Sequence, residues 1–166
     1  MKSIYKKYSL LVAFFTLFTT ASQAQISKAE IRATGLTCSM CSNAINKQLE
    51  SLPDAVTVET DLNTNTFTVT LKEGNSLTPA VFKEKVEKAG FFIGSLVLTV
   101  DAETVDQAPY ILVQEHAEKQ KQVQIQVMDK GYLTDKEFKK ATKTYKSIAT
   151  FSNTNENDFH VKIVNE

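Results

Sequence analysis

Between Ala29 and Val100 the hydrophobic period switches back and forth between two and 3.6, and few folds accommodate the resulting order of elements. Ile31 and Ala33 alternate with Glu30, Arg32 and Thr34, which predicts a strand ending at Gly35. Cys41, Ile45 and Leu49 recur at i, i+4 and i+8, with Ala44 and Leu52 beside them and Asn43, Asn46, Lys47 and Glu50 facing away. That spacing is an amphipathic helix, stopped near Pro53. Val56 and Val58 open a second strand. Asn63-Thr64-Asn65 supplies a turn, and Phe67, Val69 and Leu71 alternate with Thr66, Thr68 and Thr70 in a third, so this stretch is a hairpin. Thr78-Pro79 gives an N-cap and a first-turn proline, Phe82, Val86 and Ala89 share a face, and Gly90 stands where helices end in a left-handed residue. Phe91 to Val100 is nearly all apolar and β-prone, as a strand buried on both faces should be. The order β-α-β-β-α-β is that of the ferredoxin-like plait, an α+β architecture assigned here to residues 28–100.

Beyond it the pattern changes. Residues 101–109, with Asp101, Glu103, Asp106 and Pro109, suggest a linker. Tyr110 to Val113 is expected as a strand, as are Val123, Ile125 and Val127 alternating with Gln122, Gln124 and Gln126. Asp129-Lys130-Gly131 is expected as a turn. Thr134 can cap a short helix carrying Phe138, Ala141 and Tyr145, and Ile148 to Phe151 and Phe159 to Val164 are expected as two further strands. Residues 110–166 are therefore assigned to a second, small β-rich domain with one helix and no evident role of its own. No motif repeats from one part to the other.

The amino terminus carries a different message. Lys2, Lys6 and Lys7 precede an apolar run from Leu10 to Phe18, and Ser22-Gln23-Ala24 is a small-x-small exit, so residues 1–24 are expected to be a signal peptide cleaved after Ala24. The run is shorter than the roughly 18–20 residues that span a bilayer. A soluble periplasmic or secreted protein without membrane insertion is the expectation. The full chain balances 19 Lys and Arg against 19 Asp and Glu, and losing the three amino-terminal lysines leaves it mildly acidic. No basic patch points to nucleic acid.

Both cysteines, Cys38 and Cys41, fall within four residues, so no disulfide framework holds an exported fold together and their spacing calls for a chemical explanation. Placed across a loop and the first turn of a helix, two thiols at i and i+3 can aim at one point, and the unsatisfied helix N-H groups favour the thiolate form. Thiolates select soft ions such as Cu(I), which two of them can hold, whereas structural Zn(II) wants four protein ligands. An under-coordinated ion also suits a carrier, because a partner's thiolate can add before an original ligand leaves.

Gly35-Leu36-Thr37-Cys38-Ser39-Met40-Cys41, lying between the first strand and the first helix, resembles the G-M-T-C-x-x-C signature of the heavy-metal-associated domain of copper chaperones, copper-transporting ATPases and the periplasmic mercury-binding protein. Leu36 departs from the family's usual methionine, a packing residue beneath the loop, and leaves the ligands untouched. The resemblance implies a metal site at Cys38 and Cys41 and an exported protein that captures Cu(I) and delivers or sequesters it. The partner would be a metal-transporting or metal-accepting protein. Hg(II), Ag(I) and Zn(II) are alternative cargoes. Thr37 also favours copper by resemblance, since zinc-handling relatives often carry an acid there. Either Phe91 or Phe92 falls where the family shields the metal, although core packing explains at least one of them.

Other candidates fare less well. Met40 is expected to be exposed and non-ligating. His116 sits in a polar stretch without a nearby partner, and His160 alternates with Phe159 and Val161 as a solvent-facing strand residue would. Glu118 to Gln126 is expected as a solvated face. No catalytic constellation appears, so no enzyme is expected. Two alternatives stand beside the carrier: a thiol-disulfide oxidoreductase using the same cysteines, and a non-metal interaction module in which they rest as a disulfide. Against the first, Thr37 stands where thioredoxin-like sequences usually place an aromatic residue.

Overall fold

The computed structural model describes residues 26–36, 39–114, 121–151 and 158–164. Its elements run β1 (Ile26–Thr34), α1 (Ser39–Glu50), β2 (Ala55–Asp61), β3 (Thr66–Leu71), α2 (Pro79–Lys88), β4 (Phe92–Asp101), a 3₁₀ turn (Ala102–Thr104), β5 (Tyr110–Leu112), β6 (Gln122–Val127), α3 (Asp135–Thr144) and β7 (Phe159–Ile163). The first six elements reproduce the expected β-α-β-β-α-β order.

One seven-stranded sheet, ordered β2-β3-β1-β4-β6-β7-β5, carries the whole chain. The plait supplies β2-β3-β1-β4, antiparallel throughout. Residues 110–164 hold three of the four expected strands and the expected helix, and those strands lengthen the plait's sheet rather than forming another. β6 pairs antiparallel with β4 from Val97↔Gln126 to Asp101↔Gln122, β7 pairs with β6, and β5 closes the far edge parallel to β7. The stretch expected to link the two parts is itself packed, with Thr104 and Val105 buried.

The core explains this continuity. Ile45 and Leu49 of α1 and Phe82 and Val86 of α2 are buried against Ile31, Phe67, Val69, Leu96 and Leu98 of the sheet. Val123, Ile125 and Val127 of β6 and Phe159 and Val161 of β7 belong to the same cluster. Alternation along β6 thus feeds the plait's own core: Gln122 is exposed, Gln124 and Gln126 are half-buried, and Gln126 donates to the Ser95 hydroxyl at 2.9 Å. β4 carries buried Ile93, Leu96, Leu98 and Val100 on one face and half-buried Ser95, Val97 and Thr99 on the other.

A second cluster lies on the opposite side of the sheet. It comprises Met128, Leu133, Ala141 and Phe151, with Phe138, Tyr145 and Ile148 packed on it. Arg32, which alternates with core-facing Ile31 and Ala33, reaches Glu137 of α3 at 3.6 Å. The Ile148 to Phe151 segment is a series of turns, not a strand, because Phe151 folds back to stack on Phe138 and pack at a tilt against Tyr145 instead of pairing along the sheet.

Local signals behave mostly as their chemistry predicts. Gly90 ends α2 with φ +88, and Asn65 takes φ +55 in the hairpin turn. Thr78 occupies the α2 N-cap position without a side-chain hydrogen bond to the helix. Thr134 makes a full capping box: its Oγ1 accepts from the Glu137 N-H at 3.4 Å and donates to Oε2 at 2.6 Å, and the Thr134 N-H donates to Oε2 at 3.2 Å.

Because Ile125 is fully buried opposite Leu98, Ile125→Ala should cost about 2–5 kcal/mol. Urea denaturation should show the loss in a single transition shared by far-ultraviolet circular dichroism and tyrosine fluorescence. Two separated transitions would mean that β6 does not complete the plait's core.

Candidate functional site

β1 runs through the middle of the plait between β3 and β4, so its end is held from both sides. Thr34 pairs with Phe92, and its Oγ1 donates to the Phe92 carbonyl at 3.2 Å. On the other flank the Ala33 N-H donates to the Asn65 carbonyl at 3.1 Å. Gly35 then takes φ +84, a left-handed conformation that turns the chain out of the sheet at little cost for a residue without Cβ. Leu36 packs against the core from a half-buried position, as the residue in the family's methionine position is expected to do.

α1 begins at Ser39 and places Cys41, half-buried, in its first turn. Ser42 is buried, and Ile45 and Leu49 continue the stripe that seats the helix on the sheet. No acidic side chain occupies that first turn, so the partial positive charge of the N-terminal N-H groups is left to act on the thiol. Cys38 and Thr37 lie outside the described residues, as do His116 and the expected signal peptide at 1–24. Among the described residues no group of three or more His, Cys, Asp or Glu side chains gathers as a metal site.

The two phenylalanines part company. Phe91 packs on the core from a half-buried position, and Phe92 is 68% exposed beside Thr34. Met40 stands out at 81% exposure, as expected. Crowding under Thr34 is severe: a Cβ on Gly94 would meet the Thr34 Cγ2 at 2.5 Å.

His160 is a correction. It was expected to face solvent and is 2% exposed. β7 lies between β6 and β5 rather than at an edge, and Phe151 covers the ring edge-on at 5.1 Å. Asp129 holds it twice: the His160 backbone N-H donates to Oδ2 at 2.7 Å, and Nδ1 meets Oδ1 at 2.7 Å. Thr150 Oγ1 lies 2.9 Å from Nε2. With Nδ1 carrying the proton toward Asp129, Nε2 accepts from the Thr150 hydroxyl and every polar atom of the ring is satisfied. Burial holds the Asp129 carboxyl above its ordinary 3.8, against the opposing pull of the His160 N-H groups. Asp129 gave a turn signal in the sequence; only its contact with a strand residue 31 positions away reveals the pair.

Residues 30–92 match the family model described as the heavy-metal-associated domain. These residues belong to the heavy-metal-associated domain family. The match runs from Glu30 within β1 to Phe92, the first residue of β4, and so takes in the loop and α1. The yeast copper transporter domain CCC2A, solved apo and Cu(I)-loaded, is 36% identical over 39% of this chain and 86% of its own, with a TM-score of 0.35. The N-terminal domain of a potential copper-translocating P-type ATPase from Bacillus subtilis, Cu(I)-loaded, is 28% identical over 40% of this chain and 82% of its own, with a TM-score of 0.36. The CopZ metallochaperone is 16% identical over 40% of this chain and 98% of its own, with a TM-score of 0.37. No curated protein gives a significant match. The heavy-metal-associated domain thus accounts for the plait, and the strands and helix after it are additional. No helix among the described residues is long and apolar enough to cross a membrane.

Two predictions arise from these contacts. Gly94→Ala should destabilise the protein by about 1–3 kcal/mol through the forced clash with Thr34, and adding Thr34→Ser, which removes the clashing methyl, should restore most of the loss in thermal denaturation. The second concerns pH. A carboxyl whose folded pKa is raised contributes stability that is fully present below its unfolded value and lost as pH rises through the folded one. The stability difference between wild type and Asp129→Asn, followed by urea midpoints, should therefore narrow as pH rises from 3.8. A widening would mean that hydrogen bonds from His160 outweigh burial.

Proposed function

We propose that this chain is an exported soft-metal carrier that takes up Cu(I) through Cys38 and Cys41 and passes it on, or holds it, by ligand exchange. The observation that carries this reading is the start of α1 between the two cysteines of a heavy-metal-associated domain, at the sheet-to-helix junction where that family's signature falls. The sequence supplies Cys38 one residue before the helix, and Cys41 occupies its first turn. A helix start without acids favours two thiolates over two thiols.

The chemistry is that of exchange, not turnover. Two sulfurs satisfy a soft monovalent ion in near-linear geometry and leave it open to a third. A partner's thiolate adds, one of the original bonds lengthens and breaks, and the ion crosses without being released to water. Leu36 seats the loop on the core, so approach of a partner meets a fixed support rather than a loose one. The copper-handling names of the CCC2A and Bacillus subtilis domains support copper over the other thiophilic ions. Export rests on the amino-terminal pattern of Lys2, Lys6, Lys7 and the run from Leu10 to Phe18.

Anaerobic titration of the reduced protein with Cu(I) against a competing chelator should give one tightly held ion per chain that excess Zn(II) does not displace. Cys38→Ala with Cys41→Ala should lower the affinity by more than the roughly 10–100-fold that changes around a ligand cause. Met40→Leu, at an exposed position, should leave it unchanged. Equal binding by wild type and the double variant would remove the proposal.

A further inference from the structure

The strands added after the plait build something the heavy-metal-associated domain alone lacks. β6 covers the outer edge of β4 only from Val97 onward, and among the described residues a single bridge, Ser95 to Leu133, lies nearer the start of β4. Before that bridge, a trough of about 880 Å³ opens between α2 and the segment joining β6 to α3. Its size falls within the roughly 300–1,000 Å³ typical of ligand pockets. Ile93, Tyr132 and Phe159 give it an apolar floor, and Phe92 stands exposed at its mouth. Thr34, the last residue of β1, forms part of the wall, and Gly35 leads from it into the candidate metal loop.

We infer that this trough docks an extended cationic segment of the polypeptide with which the chain exchanges metal; in naming that partner the inference rests on the carrier reading above. The Ser95–Leu133 bridge closes one end of the trough while β4 runs on beyond it, which suits a strand-like segment rather than a second folded domain. The sign of the charge follows from the rim, where five carboxylates face two lysines. Lys83 and Glu87 engage each other at 3.9 Å, with Lys83 also 5.6 Å over the Tyr132 ring, Asp129 is engaged by His160, and Lys130 is the exposed cation of the rim. Glu84 and Asp135 remain exposed at the rim, where Lys or Arg of a partner would meet them while its apolar side chains cover Phe92. An anionic ligand would meet repulsion from the same rim.

Fluorescence anisotropy of a fluorescein-labelled Arg-Ile-Arg-Val-Arg-Ile amide with the reduced, metal-free full chain at low ionic strength tests this. One-to-one saturable binding is expected, weakened roughly 5–30-fold by Glu84→Lys with Asp135→Asn. Phe92→Ala, which removes an exposed side chain, should weaken it as well. Glu59→Lys with Glu73→Gln makes the same charge change at exposed positions away from the trough and should leave binding as it was. Equal weakening by both charge pairs, absence of saturation, or displacement by spermine at concentrations below that of the peptide would overturn the inference. Cu(I) titration of the same variants reads the cysteines separately, so intact metal binding with lost peptide binding, or the reverse, shows which of the two proposals has failed.

Discussion

The antiparallel pairing of β1 with β4 holds everything else in place. Its register runs from Ile26↔Val100 to Thr34↔Phe92, the full length of β1. The carboxyl end of β1 is thereby fixed beside the start of β4, and the turn at Gly35 leaves the sheet from a point braced on both flanks. Under the carrier reading proposed above, the loop after Gly35 would hold the metal ligands, and such a loop needs support of this kind. The closeness of Gly94 to Thr34 is the local mark of this constraint: a Cβ at Gly94 would run into the Thr34 methyl.

The same pairing leaves the other edge of β4 open, and the carboxyl-terminal part of the chain answers that. Unpaired strand edges invite association with other chains unless they are covered. β6 covers most of the edge with backbone pairing and with Val123, Ile125 and Val127, which join the plait's core. α3 and its apolar neighbours form a smaller cluster across the sheet, tied to β1 by Arg32 and Glu137. The Thr134 hydroxyl and the nearby Arg32 hold the Glu137 carboxyl below the usual range, the direction expected of an anion stabilised at a helix start. Where the covering stops short, at the beginning of β4, the trough remains.

His160 and Asp129 show how a polar pair can be built into such an addition. Burying an imidazole is costly unless its nitrogens are satisfied. Asp129 answers both the ring and the backbone of His160, and Thr150 the remaining nitrogen. Alternation along the sequence assigns His160 outward because Phe159 and Val161 point to the main core. It does not reveal that the other face is also covered, since the covering residue, Phe151, belongs to turns that look like a strand in sequence.

The plait was legible because its signals are local. Period-two and period-3.6 patterns, Gly35, Pro79 and Gly90 each act over a few residues, and the cysteine pair is contiguous with them, so sequence alone determined the order of elements, the junction at which the motif falls and the exposure of Met40. The fate of residues 110–164 was decided only in three dimensions. Whether Val123, Ile125 and Val127 bury against their own neighbours or against the plait depends on which strand edge is free, a property of the assembled sheet. Backbone hydrogen bonding is blind to sequence, so the join of β4 to β6, the burial of His160 and the trough beside Thr34 follow from tertiary packing, not from any pattern a short stretch of residues can carry.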